Sequence, residues 1–110
     1  MQAKSIERGI YKRGNSLETT LPKPLILHFN LDDNFCAVFK VINSNRTLIL
    51  FEDYLKTNST REIRRRVYNR SGSYEVTIPK EFLFTLDENK PKKAIFEFEN
   101  NQWYLKLKNE

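Results

Sequence analysis

The residues of this sequence best suited to chemistry are basic side chains, and they are concentrated in its middle. The chain of 110 residues carries a formal net charge of +5. Positions 61–80 hold six Lys or Arg residues against two Glu residues, whereas positions 81–110 hold five basic and six acidic residues. Ammonium and guanidinium groups at this density attract polyanions, most simply the phosphates of nucleic acid. A solvated charged face is the alternative interpretation.

The other reactive side chains do not form a catalytic or metal-binding set. Cys36 is the single cysteine, so it forms no intrachain disulfide, and His28 is the single histidine, so the two give no metal-ligand spacing. Glu18 and Glu75 are expected to be exposed strand carboxylates that form ion pairs with nearby Lys or Arg. No nucleophile and base stand at a suitable spacing. The sequence therefore predicts a protein that is not an enzyme and has neither metal nor cofactor.

These basic residues belong to a repeat with a period of 57 residues. "YKRGNSLETTLPK" at 11–23 reappears as "YNRSGSYEVTIPK" at 68–80. The offset gives fourteen identities without a gap. The residues of the first copy that are identical in the second are Ile6, Arg8, Tyr11, Arg13, Ser16, Glu18, Thr20, Pro22, Lys23, Ala37, Phe39, Asn43, Leu48 and Leu50. We interpret residues 1–51 as one module, 52–61 as a linker and 62–110 as a second module.

Each module has the pattern of two strands, a short helix and two more strands. "LETTLP" and "YEVTIP" alternate in polarity, as do "KAIFEFE" and "WYLKLK", which is typical of half-buried strands. Pro22 and Pro79 are suited to helix starts, and the apolar spacing of Phe82, Leu83 and Leu86 predicts a second helix to match the first. Cys36 and Trp103 are expected to pack in the interior, and His28 to be partly exposed near a helix end.

A module of about 45 residues is too small to be stable alone, so we expect the two to cover each other. The fold class predicted is mostly β with two short helices, formed by two ββαββ modules in one pseudo-twofold barrel. No stretch approaches the roughly 20 apolar residues of a membrane-spanning helix, and the first residues lack the apolar region of a secretory signal. A cytoplasmic protein without a membrane partner is therefore expected.

The motif "RGNSLETTLPK", followed by a helix and a hairpin, resembles the DNA-binding domain of the AbrB, SpoVT and MazE family of transition-state regulators and antitoxins. The resemblance implies a swapped-hairpin barrel that presents paired N-terminal strands and loops to double-stranded DNA. The tandem layout is similar to the single-chain duplications of that family, such as MraZ. Thr20 and Thr77 depart from the family pattern, since many MazE-like members carry Arg there. The second copy also has Ser71, Gly72 and Ser73 in place of Gly-Asn-Ser.

Position by position, the resemblance implies seven DNA-contacting residues. Lys and Arg neutralise phosphates, while Arg and Asn also read base edges in the major groove. Because the two loops differ in sequence, they are expected to contact DNA unequally. The DNA-contacting candidates are Lys12, Arg13 and Asn15 in the first module and Arg65, Arg66, Asn69 and Arg70 in the second.

Two classes of function follow from these residues. The first is a DNA-binding transcriptional regulator, which the motif, the basic middle and the repeat all favour. The alternative is a protein-binding module, such as an antitoxin-like or assembly barrel without specific DNA binding. A toxin partner is less favoured, because the sequence stops at "YLKLKNE" without the acidic extension through which MazE-like antitoxins capture toxins. Self-association of single-chain barrels also remains open.

Overall fold

Eight β-strands and one α-helix make up the described part of the protein. The fold is that of a computed structural model, which describes residues 4–44, 46–55, 63–83, 86–87 and 89–110. Most of the predicted linker therefore lies outside the described residues. The strands are β1 (Lys4–Arg13), β2 (Ser16–Thr20), β3 (Phe35–Asn43), β4 (Arg46–Asp53), β5 (Ile63–Arg70), β6 (Ser73–Thr77), β7 (Lys92–Glu99) and β8 (Gln102–Asn109), and the helix is α1 (Lys23–Phe29).

The eight strands close into an antiparallel barrel in the order β1-β2-β6-β5-β3-β4-β8-β7. Consecutive strands form four hairpins: β1–β2, β3–β4, β5–β6 and β7–β8. The hairpins are joined by the pairs β2–β6, β3–β5, β4–β8 and β1–β7. The sequence prediction of a mostly β barrel is confirmed, and each predicted strand is present.

The core lies inside the barrel, where alternate residues of each strand meet. In β7 and β8, Ala94, Phe96, Trp103 and Leu105 are buried, whereas Lys106 is exposed. This is the alternation that the sequence predicted, and it confirms the expected interior position of Trp103. Burying large side chains such as Phe96 stabilises the fold, because each Å² of apolar surface removed from water contributes roughly 25 cal/mol of free energy.

Only the first of the two predicted helices is present in the described residues. α1 follows Pro22, has Pro24 in its first turn, and ends at Asn30, whose φ of 54° is left-handed. Leu25 is its buried residue. Proline fixes a helical φ at a helix start, and asparagine tolerates the left-handed conformation that ends one. Both residues therefore favour a helix of this short length.

The prediction of a second helix through Phe82, Leu83 and Leu86 is wrong. The structure has a 3₁₀ turn over Lys80–Phe82, and the Leu86 N–H donates to the Leu83 carbonyl, while positions 84 and 85 of the predicted helix lie outside the described residues. At the positions 57 residues after Pro24 and Asn30, this module has Glu81 and Asp87. It therefore keeps Pro79 but lacks the proline of the first helical turn and the asparagine that ends α1. The Phe82 ring packs edge-on against Phe39 at 5.5 Å between ring centroids.

None of the described residues forms a helix long and apolar enough to cross a membrane.

Candidate nucleic-acid interface

Two hairpins form one continuous four-stranded surface. β2 pairs with β6 in the register Glu18↔Thr77, Thr19↔Val76 and Thr20↔Glu75, which joins the β1–β2 hairpin to the β5–β6 hairpin. Thr19 and Val76 are buried towards the core. Because side chains alternate along a strand, Glu18 and Glu75 lie on the opposite, outer face. This β1-β2-β6-β5 surface carries the predicted site residues of both hairpin turns.

The turns that end β1 and β5 differ in conformation. In the first turn Gly14 has a positive φ of 62°, whereas in the second both Ser71 and Gly72 have positive φ, at 55° and 89°. Positive φ at the first central residue alone is typical of a type II′ turn, and at both of a type I′ turn. The Asn69 Oδ1 atom accepts a hydrogen bond from the Gly72 N–H at 3.2 Å, while Asn15 is exposed. The two turns therefore present different groups to solvent.

The register of β2 against β6 places these turns at opposite ends of the paired strands. The turn at 14–15 and the turn at 71–72 are separated by about nine residue positions along the sheet, or about 30 Å at ~3.3 Å per residue. The protein measures 39 × 36 × 31 Å along its principal axes, so the two turns span much of the surface.

A group of four charged residues, the central cluster, lies between the turns and consists of Arg13, Glu18, Arg70 and Glu75. The Arg13 Nε–H donates to Glu18 Oε1 at 3.0 Å, and Arg13 Nη2 lies 3.4 Å from Glu75 Oε1. Arg70 Nε lies 3.1 Å from Glu75 Oε1, and Arg70 Nη2 lies 3.7 Å from Glu18 Oε2. The Arg70 Nε–H makes no hydrogen bond, so its contact with Glu75 is an ion pair only. Each arginine thus contacts both carboxylates.

The expected ion pairs of Glu18 and Glu75 are confirmed, but their expected exposure is wrong. The two residues are only 4% and 8% exposed. The guanidinium groups of both hairpins converge on them, and Thr77 Oγ1 donates to Glu18 Oε2 at 3.4 Å. Strand alternation places a side chain on the outer face, but it does not show which neighbouring strand will cover that side chain.

Two tyrosines flank the central cluster. The guanidinium of Arg13 lies over the Tyr11 ring at 5.7 Å from its centroid, and that of Arg70 lies over the Tyr68 ring at 5.2 Å. The Tyr11 hydroxyl is buried, and this burial, together with the nearby Glu75 carboxylate, raises the pKa of Tyr11. Tyr68 is 41% exposed. Cation–π contacts of this kind attract the guanidinium groups to the ring faces.

A second feature, the basic groove, lies beside the first turn. Its polar lining combines the candidates Lys12, Asn15 and Arg65 with Lys80 and Lys92. These residues come from both sequence modules, which the strand pairing brings together. Within the described ranges, Glu81 is the acidic residue of the groove, with its Oε1 at 3.9 Å from Arg65 Nη2. The four cations and one carboxylate described there give a local excess of positive charge suited to phosphate binding.

Lys80 and Lys92 are residues that the sequence prediction of the site missed. Lys80 stands directly after Pro79 in the repeated motif. It could have been recognised from the sequence as a site candidate, because Lys23 occupies the same place in the first copy. Lys92 had no local signal, since it joins the groove only through the position of β7 next to β1.

The structure does not bring Arg66 into either feature. Its guanidinium lies over the Tyr54 ring at 4.5 Å, in a separate groove that includes Asp32 and Asp53. The neighbouring carboxylates reduce the positive potential there. Of the seven candidates, Arg13 and Arg70 meet in the central cluster, Lys12, Asn15 and Arg65 meet in the basic groove, and Asn69 lies in the second turn.

The other reactive residues in the described part of the chain, Cys36 and His28, contact neighbouring protein side chains. Cys36 is buried, which raises the pKa of its thiol, and it accepts a contact from Arg64 Nη2 at 2.9 Å. His28 is exposed on α1, with its ring 5.3 Å from that of Phe98. No group of three or more His, Cys, Asp or Glu that could hold a metal ion occurs within the described ranges.

Comparisons of this chain with protein-family models, with curated proteins and with solved structures gave no match.

Proposed function

We propose that this protein is a transcriptional regulator that binds duplex DNA through the β1-β2-β6-β5 surface. The observation that supports the proposal is the joining of both hairpins by the β2–β6 pair, which places Arg13 and Arg70 together with a basic groove on one side of the barrel. Lys12, Arg65 and Lys80 are placed to bind phosphates. Arg13, Asn15 and Arg70 carry groups that hydrogen-bond to base edges.

The spacing of the turns is compatible with one face of a duplex. Turns about 30 Å apart are slightly closer than the ~34 Å helical repeat of B-DNA, so both can approach one face of a single DNA segment. Each of the two hairpins, β1–β2 and β5–β6, is a two-stranded ribbon of the kind that enters a major groove. Unequal turns favour an operator with two related but unequal halves.

We further infer that the barrel consists of two halves related by the sequence repeat, as in a swapped-hairpin arrangement. The pairs Glu18↔Thr77 and Thr20↔Glu75 exchange with each other under the 57-residue offset, which supports a twofold relation about the β2–β6 junction. The pairs β1–β7 and β3–β5, each joining strands of different modules, also correspond under this offset. The sequence resemblance to the AbrB, SpoVT and MazE family supports the same arrangement.

The experiment that tests DNA binding is selection from mixed genomic duplex fragments across a salt series, with the bound fraction sequenced. A regulator is expected to enrich a few sites, and log K is expected to fall steeply with log salt concentration. Weak binding without enrichment at ~0.15 M salt would reject the proposal.

A pair of matched variants tests the surface itself. Lys12→Ala/Lys80→Ala removes two cations from the basic groove, whereas Lys106→Ala/Lys108→Ala removes two exposed lysines from β8, outside the proposed surface. We expect the groove variant to bind all sequences more weakly and to reduce the salt slope by about 2. Equal losses in both variants would show that only net charge matters and that the proposed surface is wrong.

Exposed apolar residues at the end of β3 favour a protein partner as a second candidate function. Val41 and Ile42 are adjacent and exposed, at 60% and 56%. Contiguous exposed apolar surface is typical of interaction sites. Light scattering of wild type and of Ile42→Lys tests self-association through this region: an assembly in the wild type that the variant loses would support it, and a monomer at all concentrations would reject it.

A further inference from the structure

Glu18 and Glu75 leave one edge of each arginine in the central cluster available. Glu18 binds Arg13 through Nε, and Glu75 lies against Nη2 of the same guanidinium. Arg70 faces the two carboxylates with its own Nε and Nη2 atoms. The ion pairs of Arg13 and Arg70 with the two carboxylates use Nε and Nη2 and leave Nη1 without an ion-pair partner among the described residues, while the Tyr11 hydroxyl lies close to the Arg13 guanidinium. The side chains of Arg13 and Arg70 are 46% and 36% exposed, so both can be reached by a ligand.

The same carboxylates cancel the charge that the arginines would offer to a phosphate. Two buried carboxylates face two guanidiniums, so the centre of the surface is close to neutral, while the basic groove beside it keeps its excess of cations. A neutralised arginine attracts the DNA backbone weakly. Its planar donor fork still matches the acceptor edge of a base, because that recognition depends on geometry.

We propose that Glu18 and Glu75 are positioning residues that hold Arg13 and Arg70 for reading base edges and reduce their binding to backbone phosphates. Nonspecific affinity then comes from the basic groove, and sequence discrimination comes from the central cluster. This inference rests on the proposed function, since it assigns separate tasks to two parts of the same DNA-binding surface.

The test is the double variant Glu18→Gln/Glu75→Gln, measured on the enriched operator and on a scrambled duplex over a salt series. Glutamine keeps the side-chain length and one acceptor oxygen but removes the charge, so the formal net charge changes from +5 by two units to +7. We expect tighter binding to the scrambled duplex and a salt slope steeper by about 1–2. Discrimination between the two duplexes is expected to fall by about tenfold or more.

Glu99→Gln is the matched control. Glu99 also pairs with an arginine, Arg46, with Nη1 to Oε1 at 3.3 Å, but it lies on β7, outside the β1-β2-β6-β5 surface. We expect this variant to keep the discrimination of the wild type. Arg13→Lys/Arg70→Lys provides a second, independent test, since it preserves charge but removes the planar fork. It is expected to lose discrimination while its salt slope stays within about 0.5 of the wild-type value.

The outcomes separate this inference from the proposed function. If the wild type enriches an operator and the glutamine variant, folded by circular dichroism, discriminates as well as the wild type, the positioning role is wrong and DNA binding stands. If the glutamine variant does not fold, the lysine variant decides by the same criterion of discrimination. If the wild type shows no preference for any duplex, both the inference and the proposed function are rejected.

Discussion

Replacement of Arg70 with alanine is expected to lower the free energy of unfolding by about 1–2 kcal/mol, because it leaves Glu75 buried with a single cation, Arg13 Nη2 at 3.4 Å. Breaking a fully buried ion pair costs ~3–5 kcal/mol, and losing an exposed one costs ~0–1 kcal/mol. Glu75 is 8% exposed, but the Arg70 side chain is 36% exposed and screened by water, so an intermediate value applies. The protein is expected to remain folded, since domains are stable by ~5–15 kcal/mol.

The assay is urea and thermal unfolding followed by the fluorescence of Trp103, which is buried in the native core. For 110 residues the unfolding entropy is about 0.23 kcal/mol/K, so the loss corresponds to a decrease in Tm of about 4–9 °C. Adding Glu75→Gln to the alanine variant is expected to recover about 1 kcal/mol, because no buried charge remains there to be compensated. Such a double-mutant cycle isolates the energy of the pair.

Arg46→Ala is the control for this measurement. Arg46 pairs with Glu99, whose side chain is 39% exposed, so the carboxylate left behind stays hydrated and the pair contributes ~0–1 kcal/mol. If Arg70→Ala lowers the free energy of unfolding no more than Arg46→Ala does, or if no coupling to Glu75 appears, then Arg70 does not stabilise the fold by compensating the buried Glu75 charge.

Four further outcomes are expected. Arg70→Ala weakens binding to an enriched operator by ~1–3 kcal/mol, and a folded variant with full affinity would reject the arginine contact. Native Cys36 reacts slowly with a thiol reagent at pH 8, because burial raises its pKa and blocks access, and fast labelling of folded protein would contradict this. The pKa of Tyr11 is raised above 10.0 in the folded protein, so the folded state holds this proton more tightly than the unfolded state. The free energy of unfolding is therefore expected to fall as the pH rises above about 10, and to fall less in Tyr11→Phe. Residues 1–51 or 62–110 expressed alone are expected to be unfolded or dimeric, and a folded monomeric half would contradict the two-half barrel.

The strands and their inward faces could be predicted from the sequence because they depend on local alternation. In β7 and β8 the polarity of successive residues repeats every two positions, and the buried row of Ala94, Phe96, Trp103 and Leu105 follows directly from it. The turn at Gly72 was equally local, because glycine adopts the positive φ of 89° at little cost.

The features that were mispredicted depend on neighbours distant in sequence. Glu18 and Glu75 are buried by arginines from both hairpins, and only the β2–β6 pairing brings these together. The basic groove combines Lys12 with Arg65 through the β2–β6 pairing and with Lys92 through the β1–β7 pairing. The missing second helix is different: Pro79 and the apolar spacing suggested it, while Pro24 and Asn30 of α1 are replaced by Glu81 and Asp87 in that module.

Two halves encoded in one chain can differ from each other in sequence, whereas the halves of a dimer of identical chains cannot. Under the duplication proposed above, the residues of the central cluster are identical in the two copies, as Arg13 with Arg70 and Glu18 with Glu75. The basic groove has diverged in part, since Lys12 and Lys92 correspond to Asn69 and Phe35, whereas Arg65 and Lys80 correspond to Arg8 and Lys23. We infer that the single chain keeps a symmetric reading centre while it concentrates phosphate binding at one end. Such a protein would bind an operator of two similar half-sites in one preferred orientation.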